Sequence, residues 1–212
     1  MPILQLERGE GAGQTLGSTR LIGSLARLPT SAEVGGLAFG EQVGIDGAVI
    51  VPLSPIVDER GAFLELYRRE WSPGGEMVQS NLSRSRAGVL RGLHFHREQA
   101  DYWVVSGGSA LVGLFDLRGK SPTEGVAATV DMTAEEPRGL YIPAGVAHGF
   151  YARTDVALHY FVDRYFDNTD EFGVAWNDAE IGIVWPDDAP MLSERDRSNP
   201  SLAEVRASDS TP

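Results

Sequence analysis

From residue 43 onward, apolar and polar positions alternate over short stretches, each closed by Gly, Pro, Asp or Asn. A period of two puts every second side chain on one face of an extended chain, which is the pattern of a half-buried strand. The stretches 48–53, 62–68, 77–82, 89–96, 102–105, 110–116, 127–132, 139–142, 149–153 and 157–162 fit it. So many short strands between turn residues predict an all-β sandwich or barrel. Strand–helix alternation with a glycine-rich phosphate turn does not occur, so a dinucleotide fold has no support. Past residue 178 the pattern changes: 181–185 is a short apolar segment, 202–207 predicts a last helical turn, and 206–212 reads as a frayed tail. Residues 1–44 are Gly-rich over 9–17 and keep no period. They read as an N-terminal extension or arm, packed on a neighbouring subunit or partly disordered, ahead of one domain over 45–205.

Composition narrows the chemistry. A chain of 212 residues predicts a single domain with a sizeable core. With no Cys, disulfides and thiolate metal sites are excluded, and only His and carboxylates could hold a metal. The net charge of −12 argues against nucleic acid as a partner, but leaves room for a small anion if arginines gather in one pocket. No apolar run reaches membrane length and the first residues lack a basic start, so a cytoplasmic location is expected.

The stretch 91–108 stands out. His94 and His96 share one face of a strand, and Asp101 follows a short connection that could return it to the same place. A second stretch, Pro143-Ala-Gly145-Val-Ala-His148, completes a pair of spaced patterns that resembles the two motifs of the cupin superfamily. Three of the four histidines fall inside it; His159 points away from its neighbour Tyr160 and reads as an outer-face residue.

Further landmarks occur in order: Asp58-Glu-Arg60-Gly-Ala-Phe63-Leu-Glu65, Gln79-Ser-Asn81, Gly88-Val-Leu-Arg91-Gly-Leu-His94, Asp116-Leu-Arg118, Tyr160, Glu171, Trp185-Pro and Leu192-Ser-Glu-Arg195-Asp196. Together they resemble the dTDP-4-dehydrorhamnose 3,5-epimerase family over roughly 45–205. The resemblance implies a cupin jelly roll, a homodimer, and a thymidine-diphosphate 4-keto-6-deoxy sugar as substrate, with no cofactor. It implies His94 as base, Asp196 as its carboxylate partner and Tyr160 as acid on the other face of the sugar. These are groups that epimerisation next to a ketone requires. It implies Arg60 and Arg195 as diphosphate and sugar contacts, with Phe63, Arg91 and His148 also at the substrate. Gln79 and Asn81 would meet the nucleotide, Glu65 and Glu171 would give polar contacts, and Phe166 would stack on the thymine.

Two positions depart from the family. Asp101 stands where the family carries Lys beside the developing enolate, and His96 stands where it usually has Gln. A carboxylate about 4 Å from an enolate costs on the order of 4 kcal/mol at an effective dielectric of 20, or roughly a thousandfold in rate. The alternative reading is a metal cupin, in which His94, His96, Asp101 and His148 hold one divalent transition metal. In that case His94 could not also be the base; a non-catalytic sugar-nucleotide-binding cupin is a further alternative.

Overall fold

The computed structural model describes residues 40–208, so nearly all of the expected arm and the last four residues of the expected tail lie outside the described residues. One five-stranded antiparallel sheet has the order β1-β9-β6-β11-β4: β1 (Val49–Pro52), β4 (Gln79–Ser85), β6 (Asp101–Gly107), β9 (Arg138–Ile142) and β11 (Val156–Val162). The second has the order β12-β5-β10-β7-β8: β5 (Leu90–Phe95), β7 (Ser109–Asp116), β8 (Ala127–Thr133), β10 (Val146–Ala152) and β12 (Phe172–Gly173). Their inner faces meet in a core containing Trp103, Leu140 and Leu158 from the first sheet and Val112, Met132 and Phe150 from the second. Burying each such aliphatic or aromatic side chain contributes about 1.5–3 kcal/mol, so the inward face fixes which way every strand turns.

The outer faces are covered as well, which explains why β6 and β7 read as nearly continuous apolar runs. Tyr102 and Val104 of β6 pack outward against Leu64, Leu66 and Tyr67. Phe95 of β5 and Phe115 of β7 pack outward against Ile181, Leu202 and Val205 of the C-terminal segment. That segment holds two short helices, α1 (Glu194–Arg197) and α2 (Leu202–Ala207). The helical turn expected at 202–207 is therefore present, closed by a capping box between Ser201 and Glu204. Helix α2 carries order past the boundary expected at 206, and Arg206 forms an ion pair with Glu180 at 2.8 Å.

One expectation needs correction. The stretch 62–68 is not one strand: only β3 (Gly61–Phe63) is, and it pairs with β2 (Ile56–Asp58) in a separate hairpin. Residues 64–67 alternate because they cover the outer face of β6 and β9, not because they join a ladder. A period of two reports a face, and a covering loop can satisfy it as well as a strand. Gly61 closes the hairpin at φ 133°, a conformation costly for other residues.

Candidate active site

A cavity of about 470 Å³ opens between the two sheets. β5 supplies His94, the residue just past its end is His96, and β10 supplies His148, all from one wall; β6 and β11 supply Asp101 and Tyr160 from the other. Gly92 and Gly149 let β5 and β10 approach closely at this point, since a Cβ on Gly92 would sit 2.7 Å from the Cα of Gly149.

The histidines have different surroundings. His94 Nε2 lies 2.6 Å from Asp196 Oδ1, although the residues are 102 positions apart. Ser193 caps α1 by accepting from the Asp196 amide at 3.0 Å, and this turn carries the carboxylate to the histidine. Burial pushes the Asp196 carboxyl upward, but hydrogen bonds from His94, Ser193 and the Gly92 backbone outweigh it and hold the group below its ordinary 3.8. An anionic acceptor places the proton on His94 Nε2, so Nδ1 keeps the lone pair.

His96 and His148 both turn Nδ1 to the backbone, donating to the carbonyls of Asp170 at 2.6 Å and Val146 at 2.9 Å. Burial holds His148 well below its ordinary 6.5, and the Asp101 charge offsets this only in part. Asp101 is 3% exposed and accepts from Gln99 Nε2 and Trp103 Nε1, each at 2.9 Å. Among the described residues, His96, Asp101 and His148 form a group that could hold a metal, with ligand atoms all within 4.8 Å of one another. His94 is not in that group, which corrects the four-ligand set.

Tyr160, half-buried on β11, has its phenol raised by burial first and by the Asp101 and Glu171 charges next. It therefore stays protonated at neutral pH. Gln79, Asn81 and Phe166 line the same cavity, and Gln79 bridges the other two through Asn81 Oδ1 at 3.0 Å and the Phe166 amide at 3.2 Å. Arg91, Glu171 and Arg195 line it too; Arg195 is hydrogen-bonded to Glu171, and Arg91 to Ser85 at 2.8 Å. His159 does not line it.

Three expected contacts are not brought to this cavity. Arg60 and Phe63 stand exposed on the β2–β3 hairpin, and Glu65 pairs with Arg68 at 2.6 Å. Gln99 and Trp103 were not anticipated as site residues. Trp103 sits two positions from Asp101 on the same strand, so the period-two pattern alone could have placed it on the cavity face.

The family profile described as dTDP-4-dehydrorhamnose 3,5-epimerase matches residues 42–204. The chain belongs to that family. It is 40% identical over 157 residues to a dTDP-4-dehydrorhamnose 3,5-epimerase of Pseudomonas aeruginosa, covering 70% of this chain and 87% of the relative. A 4-keto-6-deoxy sugar epimerase from the novobiocin biosynthetic gene cluster of Streptomyces spheroides superposes with TM-score 0.76 at 34% identity, covering 81% of this chain and 91% of that one. The dTDP-6-deoxy-D-glucose-3,5-epimerase of Legionella pneumophila, solved with dTDP-4-keto-L-rhamnose, gives 0.75 at 32%, covering 82% and 96%. The two-sheet barrel is thus the cupin jelly roll of these epimerases. Among the described residues no helix is long and apolar enough to cross a membrane.

Proposed function

We propose that this chain is a sugar-nucleotide isomerase that epimerises a dTDP-4-keto-6-deoxyhexose at C3, C5 or both. The observation that carries the reading is the pairing of His94–Asp196 on one wall with protonated Tyr160 on the other, around a single cavity. His94 Nδ1 takes the proton from the carbon next to the ketone, and Asp196 stabilises the imidazolium that forms. Tyr160 returns a proton to the opposite face, which inverts the centre. Both transfers use side chains, so no organic cofactor is needed. Gln79, Asn81, Phe166 and Arg195 hold the nucleotide at the mouth of the cavity, and Arg91, His148 and Glu171 meet the sugar.

The working unit in this reading is a homodimer in the cytoplasm, with no nucleic-acid partner. Arg60, Phe63 and Glu65 resemble substrate contacts, yet none lines its own chain's cavity, and Arg60 and Phe63 stand exposed on the hairpin. They serve as contacts if they complete the site of a second copy. Mixing His94→Ala subunits with Arg60→Ala subunits should then restore part of the activity, because one of the two composite sites is intact.

The main test is incubation with dTDP-4-keto-6-deoxyglucose in deuterated water, with the incorporated deuterium located by NMR. His94→Ala and Tyr160→Phe should each reduce exchange at the affected carbon by about 10²–10⁴-fold, while calorimetry shows dTDP affinity unchanged. A wild-type protein that binds dTDP but exchanges no proton would leave a binding protein, not an isomerase.

A further inference from the structure

We infer that His96, Asp101 and His148 form a binding site for one divalent first-row transition-metal ion, separate from the His94–Asp196 pair. One ligand atom from each residue lies within 4.8 Å of the other two. Both imidazoles have Nδ1 engaged with a backbone carbonyl, His96 with Asp170 and His148 with Val146. A carbonyl only accepts, so each Nδ1 carries the hydrogen and each Nε2 keeps its lone pair. Fixing the tautomer from behind is what an outer partner does for a metal-ligating imidazole.

Asp101 adds the negative charge. Gln99 and Trp103 each donate to one of its oxygens, orienting the carboxylate without neutralising it. No Lys or Arg of the described residues lies within ion-pair distance, and the nearest basic nitrogen is His148 Nε2 at 3.9 Å. Two lone pairs and a buried carboxylate converging without a cation repel one another, and a buried charge left unpaired is costly. A divalent ion between them reverses the sign of all three interactions.

Two imidazole nitrogens and one carboxylate oxygen match Zn²⁺ sites with an open position and non-haem Fe²⁺ sites. Ca²⁺ and Mg²⁺, which favour oxygen ligands, suit the set poorly. With metal–ligand bonds of about 2.1 Å, tetrahedral donors stand about 3.4 Å apart, so the side chains must close by roughly 1 Å. All three residues line the cavity, so an ion held by them would be reached from it. The site stands on its own geometry. Its use, polarising a substrate oxygen while His94 keeps a free nitrogen, rests on the isomerase reading.

The test is a Co²⁺ titration of the chelator-stripped full chain, followed by visible absorption, with Zn²⁺ as competitor. One equivalent should bind and be displaced by Zn²⁺. His96→Ala and Asp101→Asn should weaken Co²⁺ binding by at least about 100-fold. His94→Asn should leave it unchanged, where a four-ligand site would lose it. Thermal melts establish that each variant is folded, and His96, half-buried, gives a second variant if Asp101→Asn does not fold. No Co²⁺ spectrum in the wild type, or its loss in His94→Asn, overturns the proposal. Calorimetry with dTDP on the same samples separates the two readings. Nucleotide binding without metal sinks the metal site alone, and metal binding without nucleotide sinks the sugar-nucleotide reading alone.

Discussion

Asp101 and Asp116 are both buried carboxylates at the end of a strand in the same barrel, and their surroundings are opposite. Asp116 receives a two-pronged hydrogen bond from Arg118 at 2.8 and 2.7 Å, and further bonds from Ser121 at 2.6 Å and Thr123 at 2.7 Å. Burial pushes its carboxyl up, but these donors outweigh it and bring the value down to about 2. Its charge is fully used in tying the loop after β7 to the barrel. Asp101 has two neutral donors and no guanidinium, and it faces a cavity beside two imidazole lone pairs. A carboxylate that brings its own cation is built for stability; one left without a cation next to open space is built for a ligand.

The largest expected effect is at Asp101. In metal-stripped protein, Asp101→Lys should exchange substrate protons faster than stripped wild type, by up to about a thousandfold. A cation about 4 Å from the developing enolate would be worth on the order of 4 kcal/mol at a dielectric of 20. The variant should also cease to respond to Co²⁺. Equal or slower exchange would mean that the charge of Asp101 does not reach the substrate.

Asp116→Asn should act on stability alone. Urea denaturation should show a loss of about 2 kcal/mol, below the range for a fully buried pair because the Arg118 side chain is 23% exposed. Affinity for dTDP should not change; a large drop would erase the contrast between the two aspartates.

The same group sets an acid limb. Because the folded carboxyl lies near 2 against an ordinary 3.8, the unfolded chain takes up the proton first as pH falls. The contribution is full above about pH 4 and declines toward pH 2. Acid titrations followed by circular dichroism should show a shallower slope in Asp116→Asn over that window.

The smallest effect belongs to Gln99→Ala, which removes one donor from Asp101. It should cost about 1 kcal/mol of stability and about tenfold in Co²⁺ affinity. Unchanged Co²⁺ binding would show that Gln99 does not orient the ligand.

Most of the barrel was legible along the chain, because a strand's inward face is set by neighbours two positions apart. The exceptions have that same cause. Residues 64–67 alternate like a strand but cover one, and β12 has only two residues, too few to show a period. Asp196, set among charges in Glu194-Arg195-Asp196-Arg197, has the sequence context of a solvated surface residue; only the family resemblance marked it, and the structure finds it 4% exposed.

The sequence by itself put His94 and His96 on one face of an extended stretch, and the family resemblance joined His148 and Asp101 to them. Only the tertiary structure decided how these groups are divided. Docking of α1 against β5 gives His94 the carboxylate of Asp196. The backbone carbonyls of Asp170 and Val146 turn the other two imidazoles toward Asp101. Spacing along a strand fixes a side chain's face within a few residues. Its partner comes from across the barrel and is chosen by the packing of two sheets and a C-terminal segment, which no local pattern records.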